Sequence, residues 1–139
     1  MRAPTAPETP SEVPADAVQV TGDSSIITKL TNTTPTGDGF KLEAAGFTNK
    51  YAGISIETGG KYSTLVFTVT SGSMKNYAFC SSMDGFFGTA LISAEDHSYT
   101  IQPGESRTYT VDISGVNKID FGARNGRSAD CTITNIYIW

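Results

Sequence analysis

The chain has 139 residues and a mass of 14.7 kDa, with 38% hydrophobic and 17% charged residues, enough for one two-layer domain but not for two. Fourteen Asp and Glu against ten Lys and Arg give a net charge of −4 and a pI near 4.8, which argues against a generic nucleic-acid binder. The longest apolar runs are far too short to cross a bilayer or to form a signal-peptide core, so no membrane partner is expected, and either a leader has been removed or the domain comes from a longer chain.

Residues 1–20 hold Pro4, Pro7, Pro10 and Pro14 with Ala, Thr, Ser and acids between them, and almost nothing to bury. This composition favours extended polyproline II segments and reads as a Pro/Thr/Glu-rich linker of the kind that joins modules of secreted proteins. Arg2 against Glu8, Glu12 and Asp16 accounts for half of the net charge, which leaves residues 21–139 nearly neutral.

From Ser24 onward, alternating apolar and polar residues are broken by Gly, Pro, Asn, Asp and Ser clusters. Ten strands are predicted, over about 24–30, 40–45, 52–57, 64–70, 75–81, 89–93, 97–101, 107–113, 118–124 and 131–139. In Thr64 to Thr70 the inward set is Leu65, Phe67 and Val69; Tyr109, Val111, Ile113, Ile119 and Phe121 continue the same core. Two pairings stay open: Tyr77 and Phe79 against Ala78 and Cys80, and Tyr137 and Trp139 against Ile136 and Ile138. One buried face per strand and no helical periodicity predict an all-β antiparallel sandwich of jelly-roll type.

Chemistry-bearing residues are sparse. Cys80 and Cys131 fit either a disulfide or two buried thiols, and with the single histidine, His97, they fall short of a closed zinc site. Gly22-Asp23-Ser24-Ser25 resembles an esterase nucleophile block but lacks its α/β setting, and reads as a turn. Asp112, Asp120, Glu43 and Glu57 lie on expected solvent faces rather than as a glycosidase pair. No enzyme is therefore expected, and no cofactor is required. Thr36-Gly37-Asp38-Gly39 could lend oxygens to a structural calcium, without the periodicity of a calcium loop.

The pieces Gly53-Ile54-Ser55-Ile56, Gly60-Lys61-Tyr62-Ser63-Thr64-Leu65-Val66-Phe67-Thr68-Val69, Met83-Asp84-Gly85, Tyr109 to Phe121 and the final Thr134 to Trp139 follow one another in a familiar order. Over residues 50 to 139 the chain resembles the galactose-binding-like carbohydrate-binding modules, in particular the glycosidase-associated NPCBM-type group. It lacks that group's histidine after the first Gly-Ile and its acidic cluster before the last tryptophan, so no ligand residue is carried over. The resemblance implies a secreted, bacterial, monomeric, non-catalytic module that binds a polysaccharide or oligosaccharide and targets a catalytic domain of the same parent chain. A structural spacer or a cell-surface adhesion domain with a protein partner is the alternative.

Sugar recognition needs rings to stack on pyranose faces and planar polar groups to hold hydroxyls. If every consecutive strand reverses, the loops 31–39, 58–63, 82–88, 102–106 and 125–130 share one end of the sandwich. That end would gather Tyr62, Phe86 and Phe87 as platforms and Arg124, Asn125 and Arg127 as donors, an arginine fork suiting sugar hydroxyls or a uronate carboxylate. The run Arg124 to Asp130 also reads simply as a hairpin turn with a solvated charge pair. The competing location is a sheet face, with Tyr77 or Phe79 lining a groove.

Overall fold

The computed structural model describes residues 13–44, 52–84, 88–92, 100–125 and 128–139. Among these, twelve strands form two antiparallel sheets packed face to face. In the first sheet the order is β10 (Ser106–Asp112), β6 (Thr64–Ser71), β12 (Ala129–Ile138), β4 (Gly39–Ala44) and β3 (Thr33–Pro35), with β1 (Val18–Gln19) paired to the end of β12. The second sheet runs β2 (Ile27–Thr31), β5 (Gly53–Glu57), β11 (Lys118–Arg124), β7 (Asn76–Ser82) and β8 (Thr89–Ala90), with β9 (Thr100–Ile101) also on β7. The all-β sandwich expected from the sequence is thus the observed architecture.

The period-two alternation decides which side of each strand is buried. Leu65, Phe67 and Val69 meet Ile54, Ile56, Ile119 and Phe121 between the sheets, all essentially solvent-free. Phe67 is the centre of the core, with its ring centroid 5.1 Å from that of Phe121 and 5.6 Å from that of Tyr109. Small inward residues, Ala78, Cys80, Ala123 and Cys131, leave room for these rings. That settles the first open pairing: Ala78 and Cys80 face inward, and Tyr77 and Phe79 stand on the outer face.

The second pairing is settled by a bulge. The register of β12 on β6 shifts between Thr134 and Tyr137, and Asn135 takes φ 52° there. Strict alternation from Cys131 and Ile133 would have aimed Tyr137 and Trp139 inward; the extra residue reverses the phase and buries Ile136 and Ile138 instead.

Strand directions differ from strict reversal. β8 and β9 are both antiparallel to β7 and lie along the same edge, so two successive strands run the same way. Thr58 N–H donates to Asn117 O (2.7 Å), Met83 N–H donates to Lys118 O (2.8 Å), and the Asp84 carboxylate accepts from the N–H groups of Asn117 and Lys118 (2.7 and 2.6 Å). Loops 58–63 and 82–84 therefore sit at the start of β11. At its far end, about 20 Å away for a seven-residue strand, Asn125 Nδ2 donates to Lys75 O (3.2 Å) and Gly72 N–H donates to Asp130 O (2.8 Å). The expectation of one shared loop end is corrected: 58–63 and 82–84 lie opposite 102–105, Asn125 and 128–130.

The far end is closed by a buried polar clasp. Asn76, without solvent exposure, donates from Nδ2 to Asp130 O, Met74 O and Ser71 Oγ at 3.0, 3.1 and 3.2 Å, joining β7 of one sheet to β6 and β12 of the other. Beside it the Asp130 carboxylate accepts from Lys41 Nζ (2.7 Å), Ser73 N–H (2.9 Å) and Ser73 Oγ (2.7 Å). These bonds hold its carboxyl well below the usual carboxylate range.

The linker boundary is also corrected at its end. Val18 and Gln19 pair with Ile138 and Tyr137, and Val20 is buried, so residues 18–20 belong to the sandwich; residues 1–12 lie outside the described residues.

Candidate functional site

The outer face of the second sheet is a groove of about 280 Å³. Its floor follows from strand parity: once Ile54, Ile56, Ala78, Cys80, Ile119 and Phe121 point into the core, their neighbours must point out. β2 supplies Lys29 and Thr31, and β5 supplies Gly53 and Ser55. Asp120 and Arg124 come from β11, Phe79 and Ser81 come from β7, and Met83 comes from just beyond its end.

The registers arrange these in rows across the strands. Lys29 pairs with Ser55, Ser55 with Asp120, and Asp120 with Ser81, giving a polar row over four strands at about 4.8 Å spacing. Among the described residues none of these four side chains has a hydrogen-bond partner, so all four are available to a ligand. The next row is built around Phe79. Its register partner is Gly122, and a Cβ placed there would stand 3.3 Å from Cε1 and Cζ of the ring; a Cβ at Gly53 would stand 3.2 Å from Cζ. The distal half of the ring lies over two positions that lack side chains, which lets it rest low against the sheet.

Arg124 covers that ring, its guanidinium carbon 4.8 Å from the centroid, a cation–π distance. Tyr77, the register partner of Arg124, continues the aromatic line along β7 and is 40% exposed, with Lys75 Nζ 5.6 Å from its centroid. Met83, 41% exposed, bounds the groove at the opposite end of β7. A ring, a planar cation and a row of polar side chains on a rigid sheet form a surface able to stack on one sugar and hydrogen-bond its neighbours.

Two of the residues expected from sequence, Tyr77 and Arg124, come together here, on the face rather than at a loop end. Asn125 lies just past Arg124 and is occupied in its turn: its backbone bonds Ser128 in both directions (2.7 and 3.0 Å) while its amide holds Lys75 O. Tyr62 sits at the other end of the sandwich, partly buried against the core, and joins none of them. Phe86, Phe87 and Arg127 lie outside the described residues, as does His97. Lys29, Ser55 and Asp120 were not singled out in the sequence. Their outward parity was readable, but the strand order that places them in one row was not.

The remaining candidates lie elsewhere in the fold. Ser24 Oγ accepts from Thr21 N–H (2.8 Å) within a turn. Cys80 and Cys131 are free thiols, both buried, and burial pushes each up to about 12. In the 36–39 turn Thr36 Oγ1 donates to Asp38 (3.4 Å), and among the described residues no group of three metal-ligating side chains forms. Among the described residues lining the groove, Asp120 is the one carboxylate.

No protein-family model and no curated protein matches this chain. Among solved structures, it is similar to an arginine-to-alanine variant of a family 29 carbohydrate-binding module, made to probe ligand recognition, with a TM-score of 0.56 and 16% identity over 87% of this chain and 86% of that one. A lysine-to-alanine variant of the same module gives a TM-score of 0.51 and 18% identity over 81% and 78%. The chain therefore has the fold of a β-sandwich carbohydrate-binding module, in agreement with the resemblance read from its strand and turn pieces.

Proposed function

We propose that this domain is a non-catalytic carbohydrate-binding module whose site is the groove on the outer face of the second sheet. The observation that carries the proposal is the unpartnered row Lys29, Ser55, Asp120 and Ser81 beside the Phe79 and Tyr77 rings. A structural spacer has no use for polar side chains left unbonded in a groove next to an exposed ring. Shared fold alone says little about function, so the weight rests on this face.

The module acts by proximity. Joined through the Pro-rich segment to a secreted bacterial polysaccharide-degrading enzyme, it raises the effective concentration of the catalytic domain at its substrate without adding chemistry. It works as a monomer.

Affinity gel electrophoresis against glucans, mannans, xylans and pectins tests the reading. Retardation by at least one, lost in Tyr77→Ala and in Asp120→Ala with unchanged thermal melts, is expected; mobility unchanged by every glycan contradicts it.

A further inference from the structure

The polar row and the exposed ring of this face lie in different directions from Ser81. Lys29, Ser55, Asp120 and Ser81 stand on four neighbouring strands, so the row crosses the sheet over about 14 Å. Near β7 the row is bounded on both sides. One boundary is the Phe79 ring with Arg124 on it, one register level along β7; the other is Met83, one level the opposite way. The groove therefore runs across the strands. Tyr77 lies outside it, two levels beyond Ser81 and about 13 Å away along β7. Its register partner Arg124 reaches back from that level onto Phe79, so the Phe79–Arg124 stack stands between the groove and the Tyr77 ring.

No straight chain serves both features. A linear glycan laid in the groove follows the row and passes Tyr77 at about 13 Å. One laid along β7 reaches Tyr77 but leaves Ser55 and Lys29 two and three strands to the side, about 10 and 14 Å away. Both features are nevertheless open to a ligand: the four side chains of the row are unpartnered among the described residues, and Tyr77 is 40% exposed where the neighbouring Phe79 is covered. A ligand that extends in two directions from Ser81 uses both.

We infer that the groove takes a branched polysaccharide: its backbone lies across the strands along Lys29, Ser55, Asp120 and Ser81, while a side branch leaves near Ser81, crosses the Phe79–Arg124 stack and ends on Tyr77; this rests on the sugar-binding reading above. The branch is longer than one sugar, because about 13 Å exceeds a single pyranose ring. Arg124 serves here as a packed wall, and no charge on the ligand is needed. Once the backbone is bound, Tyr77 meets the branch at a high effective concentration, so one stacking contact adds a large factor in affinity.

The test compares cellohexaose with xyloglucan oligosaccharides of the same glucan backbone carrying one-sugar or two-sugar branches. Rhamnogalacturonan with arabinan branches, and its enzymatically debranched backbone, form a second series. In a series that binds, the form with branches of two or more sugars is expected to bind about tenfold or more tightly than the bare backbone. Tyr77→Ala brings that form down to the level of the bare backbone without changing the backbone's own affinity, whereas Asp120→Ala weakens both, all with unchanged thermal melts. Equal affinity for bare and branched forms, a branch preference that survives Tyr77→Ala, or binding confined to polymers without such branches overturns the branched ligand while leaving the sugar-binding reading intact. Binding to none of these or of the wider glycan panel overturns both.

Discussion

Gly53 of β5 and Phe79 of β7 stand on opposite sides of β11, and a Cβ on Gly53 would lie 3.2 Å from the tip of the Phe79 ring. The glycine is what allows the ring to reach across the central strand and to carry Arg124 above it. In Gly53→Ala the methyl group meets the ring tip and, at an ordinary 3.5 Å, the carbonyl of Phe121. We expect a stability change within about 1 kcal/mol and a severalfold loss of glycan affinity, because the ring and its guanidinium are lifted. Denaturant unfolding and titration calorimetry on the same protein check both halves.

The opposed ends of the sandwich make a second prediction. Tyr77→Ala should abolish binding with little effect on stability, since the side chain is 40% exposed. Tyr62→Ala should do the reverse, costing about 1–3 kcal/mol through lost packing while affinity stays put. Asn125→Ala should loosen its turn without abolishing binding. Loss of binding in Tyr62→Ala alone, in a protein that still folds, would return the site to the loop end.

The strands were legible in the sequence because their alternation is strong, as in Leu65, Phe67 and Val69. Two were not. Val18–Gln19 follows a Pro-rich stretch and is too short to show a period, and Thr33–Pro35 contains a proline that suits only an edge strand. The site was half legible: parity marks Tyr77 and Phe79 as either core or face, but only the packing of Phe67 against Phe121 over small neighbours decides it. Loop placement failed for a specific reason. Strands 89–90 and 100–101 share the β7 edge and run in the same direction, so a reversal counted at each strand moves Arg124 and Asn125 to the wrong end.

The Asp130 clasp gives the domain an acid-sensitive component. Lys41 and Ser73 stabilise the carboxylate and depress its pKa, so its contribution is present above the unfolded value of about 3.9 and is lost as pH falls through the folded value below it. Lys41 shows the complementary shift, raised by its bond to Asp130, and its share is lost only as pH rises above the ordinary lysine range. Asp130→Asn should cost about 2 kcal/mol at pH 7, and the difference from wild type should shrink as pH is lowered from 4 to 2. Urea unfolding across that range measures it; a gap that does not change with pH would contradict the role given to the charge.

Cys80 and Cys131 should be inert in the folded protein. Both are buried and burial pushes their thiols up to about 12, so thiolate is scarce at neutral pH. A thiol reagent should label neither in native buffer and both after denaturation without reductant. Failure to label after denaturation would instead indicate a disulfide.

The most direct test of the central claim is a backbone amide NMR titration of the labelled domain with a glycan that retards it. Shifts should concentrate on the strands of the second sheet, at Lys29, Ser55, Phe79, Ser81, Asp120 and Arg124, and leave 58–63 and the outer face of the first sheet unmoved. Shifts confined to the loops at either end, with those six amides unchanged, would contradict the groove as the binding site.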